Sequence, residues 1–247
     1  MLFIQENIMD LLESHFSSMS GNLFWNEDEN TYDMFSNVGK PLHLNYLTFK
    51  ELFKNMNGRK DLIILETGIA SAGTQSTYLF NEYVKKYGGK FWSVDINKNL
   101  VDNHKGNMCP ATTLVHDDSV LFLQNWVKDH PDVQADVVYL DSYDLNFYDP
   151  HPSANHGLNE YNAILPAMKT NSLLLIDDTP SNPYWLDTRG NVYNDMVKYY
   201  DKNQCLPGKG QYVLNVDKNA ETLLHNYQIL YKFIGIGTQG SGKTSLK

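Results

Sequence analysis

Cysteine is almost missing from this chain: Cys109 and Cys205 are the two in 247 residues, far apart and outside any metal-type spacing. A disulfide framework and a thiolate metal centre are therefore not expected, and reduced thiols in a cytosol-like compartment are, with one Cys109–Cys205 bridge left open. Long apolar runs are missing too. Nowhere do 18 apolar residues follow one another, and Glu6, Asp10 and Glu13 interrupt the start "MLFIQENIMDLLESHF", which removes a signal-peptide core. The expectation is a soluble, unexported, cytoplasmic protein without a membrane partner. Positive charge is scarce, with 20 Lys and Arg against 29 Asp and Glu and a formal net charge of −9, so attraction to a phosphate backbone is weak and a nucleic-acid partner is disfavoured. There is no internal repeat and no low-complexity tract.

What is present is an aromatic-rich globular composition, with 42% hydrophobic residues, 16 tyrosines and 11 phenylalanines. Ile4, Ile8, Leu11, Leu12 and Phe16 follow helical spacing. A polar, aromatic stretch, "SSMSGNLFWNEDENTYDMFSNVGK", reads as a loop, and a second helix is expected from near Pro41 through "LNYLTFKELFKNM". Then short apolar runs alternate with helical segments: "LIILE" (62–66), "KFWSVD" (90–95), "TTLVH" (112–116), "ADVVYLD" (135–141) and "SLLLID" (172–177). Such alternation predicts βαβ units and an α/β, doubly wound, mostly parallel sheet. The spacing of "GQYVLNV" (210–216) and "NYQILYKFIG" (226–235) predicts a C-terminal antiparallel hairpin, giving seven strands. Residues 1–59 are expected to cap the substrate side, 60–236 to form the ligand-binding domain, and 237–247 to form a tail.

Ligands of doubly wound sheets bind beyond the carboxyl ends of the strands, and there this chain is acidic. The runs end in or lead to Glu66, Asp95, Asp117 with Asp118, Asp141, and Asp177 with Asp178. A single acid at a strand end is only solvated. A series of them along one rim repels itself unless cations, hydroxyls or amines satisfy it. After the first run, "ETGIASAGTQS" supplies a turn in which Gly68 permits a tight reversal and Ala72 and Gly73 leave space for a ligand, while Thr74 and Ser76 are placed to cap the next helix. This is not the G-x-G-x-x-G of nicotinamide enzymes. Asp95, at the end of the next run, is placed to accept from both hydroxyls of a ribose, and turn and acid together imply an adenosine-like ligand. An acid before "SVLFLQNWV" favours helix capping, so of Asp117 and Asp118 one is expected to cap and the other to bind.

The succession "LETGIASAGTQS", "WSVDIN", "HDDSV", "VVYLDSYD" and "LLLIDD" resembles the ordered motifs of class I S-adenosylmethionine-dependent methyltransferases, over roughly residues 60–235. "LDSYDLNFYDPHPSANHGLNEYNAI" and "GKGQYV" resemble a branch related to cation-dependent small-molecule O-methyltransferases. The resemblance implies a Rossmann-like methyltransferase fold. It implies that Glu66, Gly68, Ala72 and Gly73 form the methionine-side turn of S-adenosylmethionine, that Asp95 holds the ribose, and that Asp118 with Ser119 meets the adenine. Ala72 stands where glycine is common. The resemblance also implies that Asp141, Asp177 and Asp178 hold a divalent cation, Mg²⁺, Mn²⁺ or Ca²⁺, which would lower the pKa of a substrate hydroxyl. Those enzymes often carry a lysine base three residues after the first aspartate, where this chain has Asp144. Asp144 and His156 are the candidate bases, His156 being alternatively a fourth group of the metal site, with a surface histidine at a helix start as the plain reading.

The implied activity is methyl transfer to a hydroxyl of a small molecule such as a sugar, polyketide-like or phenolic alcohol. Its competitors are a metal-independent methyltransferase, a metal-dependent sugar-nucleotide transferase and a non-catalytic adenosine-ligand-binding protein. A homo-oligomer stays open. Trp25, Tyr148, Tyr184 and Trp185 are candidates to line the acceptor pocket or simply to pack. One pattern stands apart: Gly237, Gly242, Lys243 and Thr244 satisfy the phosphate-loop spacing G-x-x-x-x-G-K-T. The mechanism of that loop needs a following helix whose N-terminus meets the phosphates, and only Ser245, Leu246 and Lys247 follow, so a mobile Gly/Ser/Lys tail is expected.

Overall fold

An asparagine starts the first helix, α1 (Ile8–Ser17). The Asn7 side chain accepts from Met9 N, and the Asp10 carboxylate returns to Asn7 N, so two otherwise orphaned N–H groups are satisfied. The computed structural model describes residues 7–19, 23–26, 31–33, 40–146, 149–181, 198–199, 201–202, 206–216 and 219–234. The phosphate-loop pattern, Ile4, Tyr148, Tyr184, Trp185 and the Trp25 side chain lie outside the described residues.

The stretch expected to be a loop carries β1 (Leu23–Asn26) and β2 (Thr31–Asp33), and with β3 (Lys40–Leu42) they form a small antiparallel sheet in the order β2-β1-β3. The helix expected from Pro41 begins later, as α2 (Tyr46–Met56). Pro41 pairs with Phe24 inside β3, in keeping with the extended conformation that proline imposes on the residue before it.

The large sheet follows the predicted plan: β4 (Leu62–Thr67), α3 (Ser76–Tyr87), β5 (Gly89–Asp95), α4 (Lys98–Lys105), β6 (Thr112–His116), α5 (Ser119–Asp129), β7 (Ala135–Leu140), α6 (His151–Ile164) and β8 (Met168–Ile176). Then come α7 (Gln211–Val216), β9 (Ala220–His225) and β10 (Ile229–Phe233). The order is β6-β5-β4-β7-β8-β10-β9, with β4 to β8 parallel and the last two antiparallel. The hairpin therefore exists, but its first strand is 220–225, and 210–216 is helix rather than strand. Packing overrides the β-prone "YVLNV" there: Val213 is fully buried in the layer that includes α6, and Gly208 and Gly210 press the chain just before it against Asp178 and Thr179.

Alternation along the strands assigns the faces. Val137, Tyr139, Leu173 and Leu175 pack against α1, α2 and α3, whereas Val138, Leu140, Leu174 and Ile176 pack against α5 and α6. The N-terminal helices thus share one apolar layer with α3. The strand order reverses at β4, so the connections leaving the neighbouring strands β4 and β7 run to opposite faces of the sheet, and the crevice where this architecture binds ligands lies between them.

Candidate functional site

The crevice starts at Gly68, directly after β4. Its φ is +85°, and a Cβ there would lie 2.3 Å from the Asp141 carbonyl oxygen, so only glycine lets the turn touch the end of β7. Asp95 braces this turn from the end of β5: one carboxylate oxygen accepts from Ile69 N at 3.0 Å and the other from Asn97 N at 2.7 Å. Beside it Ile96 is 73% exposed, an apolar surface on an otherwise polar rim.

Glu66 lies beneath the turn rather than in the crevice. It is fully buried, and the hydroxyls of Ser76, Thr77 and Ser93 each donate to its carboxylate at 2.6 Å. Burial pushes its pKa up to about 7 despite the three hydroxyls, with Asp95 adding repulsion. Thr77 also accepts from Ala70 N at 3.0 Å, so Glu66 stiffens the turn after β4 through a hydroxyl. These bonds redirect the two expected caps. Ser76 is the first helical residue and faces Glu66, Thr74 accepts from Asn45 Nδ2 at 2.9 Å, and Gln75 holds the N-cap position with a left-handed φ of 49°.

Further along the rim, Asp118 caps α5 by accepting from Leu121 N at 3.0 Å, and Asp117 accepts from Asp118 N at 2.9 Å. Ser119 and His156 form a hydrogen-bonded knot with Ser142. His156 Nε2 lies 2.9 Å from Ser119 Oγ, 3.0 Å from Ser142 Oγ and 3.4 Å from Glu160 Oε1. Behind it Lys209 and Glu160 form a buried ion pair. Burial alone would raise Glu160, but Lys209, His156 and Ser142 together hold it down at about 2.

The crevice itself is a cavity of about 450 Å³ whose walls join two groups of residues. Ala72 and Gly73 come from the turn after β4, and Asp141, Asp144, Asp177 and Asp178 come from the ends of β7 and β8. Burial first, then the neighbouring Asp177 carboxylate, holds the Asp141 carboxyl well above the usual range. Tyr139 donates to Asp141 Oδ2 at 3.1 Å. Asp178 adopts a left-handed φ of 44°, and both of its oxygens are engaged, one by Tyr227 OH at 2.7 Å and the other by Leu145 N at 3.2 Å. Burial and Asp177 still raise it to about 6.

This arrangement bears on the expected cation. Among the described residues no group of three or more His, Cys, Asp or Glu side chains is disposed to hold a metal ion. Asp141 and Asp177 remain as a convergent all-oxygen pair, and their mutual repulsion is what a hard cation relieves. Mg²⁺ in particular is commonly held by one or two carboxylates and retained waters, so a pair fits it. Asp178 stands in the wall with its oxygens already satisfied.

Several residues of the site were not singled out in the sequence: Asn45, Lys209, Tyr227 and Gln228. Lys209 sits inside the "GKG" of a stretch that drew attention, but nothing local marks it as buried. Asn45 before α2 reads as an ordinary N-cap, and Gln228 in a hairpin turn carries no signal at all.

No protein-family model matches the chain, and no curated protein sequence matches it. Among solved structures it is similar to the MycE methyltransferase of the mycinamycin biosynthetic pathway, in complex with Mg and SAH, with a TM-score of 0.53 and 15% identity over 78% of this chain and 50% of that one. It is also similar to the calicheamicin methyltransferase CalS11 (TM-score 0.47, 14% identity, 75% of this chain and 77% of that one). A third is the O-methyltransferase from Bacillus cereus in complex with SAH (TM-score 0.43, 11% identity, 74% and 79%). The chain spans half the length of the MycE chain. The fold is the Rossmann-like fold of S-adenosylmethionine-dependent methyltransferases, with their sheet order and terminal antiparallel hairpin.

Proposed function

We propose that this protein transfers a methyl group from S-adenosylmethionine to a hydroxyl of a small molecule. The observation that carries the reading is the shared cavity: the small-residue turn of Ala72 and Gly73 and the Asp141–Asp177 pair line one space, so a ligand on the turn and a hydroxyl at the carboxylates would be neighbours. Gly68 and Asp95 would hold the methionine side and the ribose respectively, with Ile96 offering an apolar surface to the adenine and Asp118 and Ser119 lying beyond it. S-adenosylmethionine supplies an electrophilic methyl, and the transfer needs alignment more than covalent help. A divalent cation at Asp141 and Asp177 would supply Lewis acidity to a bound hydroxyl. Asp144, which lines the cavity, is the better candidate proton acceptor than His156, whose Nε2 is tied to Ser119 and Ser142.

A metal-independent methyltransferase is the second reading, favoured by the engaged oxygens of Asp178. Calorimetric titration with S-adenosylmethionine and S-adenosylhomocysteine tests the common part of both. Binding of each at micromolar concentration is expected. A folded protein that binds neither, or whose binding is displaced by a sugar nucleotide, would remove the methyltransferase reading.

A further inference from the structure

Asparagine is among the best N-cap residues, yet Asn45, at the N-cap position of α2, makes no capping bond. Its backbone is in the right-handed helical region, and its side chain, 3% exposed, turns to the cavity wall, where Nδ2 donates to Thr74 Oγ1 at 2.9 Å and to Asp177 Oδ1 at 3.3 Å. From the other side comes Gln228, fully buried in the turn between β9 and β10. Its Nε2 donates to the same Asp177 oxygen at 2.7 Å and lies 3.0 Å from Tyr139 OH, which in turn donates to Asp141.

Both amides leave a carbonyl oxygen behind. Asn45 Oδ1 and Gln228 Oε1 are buried without a hydrogen-bond partner among the described residues, a state that lowers stability and that a leucine or methionine in either place would avoid. Two amides from opposite ends of the chain thus aim their donors at one carboxylate oxygen while their own acceptors go unsatisfied. We propose that Asn45 and Gln228 are positioning residues that pin Asp177 Oδ1, so that the oxygens of Asp177 and Asp141 not held by these donors meet a divalent cation. This rests on the cation reading of the carboxylate pair. Ligand-orienting partners of this kind are as much a part of a metal site as the ligands.

Mn²⁺ is the probe. Its binding is followed by the loss of the free-ion electron paramagnetic resonance signal, in wild type, Asn45→Leu, Gln228→Met, Asp177→Asn and Asp95→Ala. S-adenosylmethionine affinity and melting temperature are measured on the same samples. Wild type is expected to bind Mn²⁺, and each amide variant to bind it about tenfold to a hundredfold more weakly, the range for loss of such a partner. S-adenosylmethionine affinity in the amide variants should stay within about twofold, a change too small to reflect a lost binding contact. Melting temperature should hold, because the orphaned carbonyl leaves with the donor. Asp177→Asn should lose Mn²⁺ binding, and Asp95→Ala should keep it while binding the cofactor more weakly. Should one variant fail to fold, the other decides. Unchanged Mn²⁺ affinity in a folded amide variant overturns the inference and leaves the cation reading standing. A wild type that binds S-adenosylmethionine but no Mn²⁺ overturns the inference together with the cation, and leaves the methyltransferase reading intact.

Discussion

Lys209 Nζ stands 3.8 Å from Glu160 Oε2, and neither side chain is more than 1% exposed. Neither atom has another hydrogen-bond partner among the described residues. Removing one charge strands the other, so Glu160→Ala should lower unfolding free energy by about 3–5 kcal/mol, the usual effect of breaking a buried pair. Glu160→Leu combined with Lys209→Met should recover most of that loss. Urea unfolding of Glu160→Leu, Lys209→Met and the double variant measures the coupling.

The same pair sets an acid limit. Glu160 is held at about 2 in the folded state, below its ordinary value, so its contribution is fully present above the ordinary carboxylate range and is lost as pH falls toward 2. In Glu160→Gln, the part of the stability loss between about pH 4.5 and pH 2 that belongs to this group should vanish. Denaturation midpoints across that window check it.

Glu66 behaves in the opposite sense. Its folded pKa is raised to about 7, so its contribution is present below the ordinary carboxylate range and is lost as pH rises through 7. Glu66→Gln should therefore gain on the wild type between pH 5 and pH 8, by up to about 3 kcal/mol for a shift of this size. A difference between the two proteins that does not vary with pH would show that Glu66 titrates normally in the fold.

Asp95→Ala should weaken S-adenosylmethionine binding by about 1.5–3 kcal/mol, the scale of lost charged hydrogen bonds. Because the carboxylate also braces Ile69 and Asn97, circular dichroism should accompany the calorimetry to show that the variant is folded.

Gly68→Ala combines a positive φ with a contact 2.3 Å from the Asp141 backbone oxygen. We expect a loss of at least about 2 kcal/mol in urea unfolding, from strain and overpacking together. The turn after β4 and the end of β7 should be displaced with it. Wild-type stability and cofactor affinity in this variant would show that the turn yields easily.

Much of this was legible because it repeats with a period. "ADVVYLD" and "SLLLID" read as strands buried on both faces, and that is how β7 and β8 pack. The acids at the strand ends were equally visible, since strand ends face the rim. What each acid does there was not visible. Glu66 and Asp95 both close a β-strand run, yet three hydroxyls draw one inward while two backbone N–H groups hold the other at the turn. The strand expected at 210–216 failed because glycine contacts and the burial of Val213 decide that segment, and both are tertiary. Asn45 and Gln228 escaped notice for the same reason: their partners lie far along the chain.

That distance has a kinetic consequence. The Asn45–Asp177 bond joins residues 132 apart and the Gln228–Tyr139 bond residues 89 apart, so loop closure has to precede either of them. We expect the cavity wall to be completed after the strands it decorates have paired, because Asn45 and Gln228 reach Asp177 only at the end of a paired β8. Contacts formed after the rate-limiting step change the unfolding rate and leave the folding rate nearly alone. A molecule that binds only the finished wall should therefore prolong the life of the native state without hastening its formation.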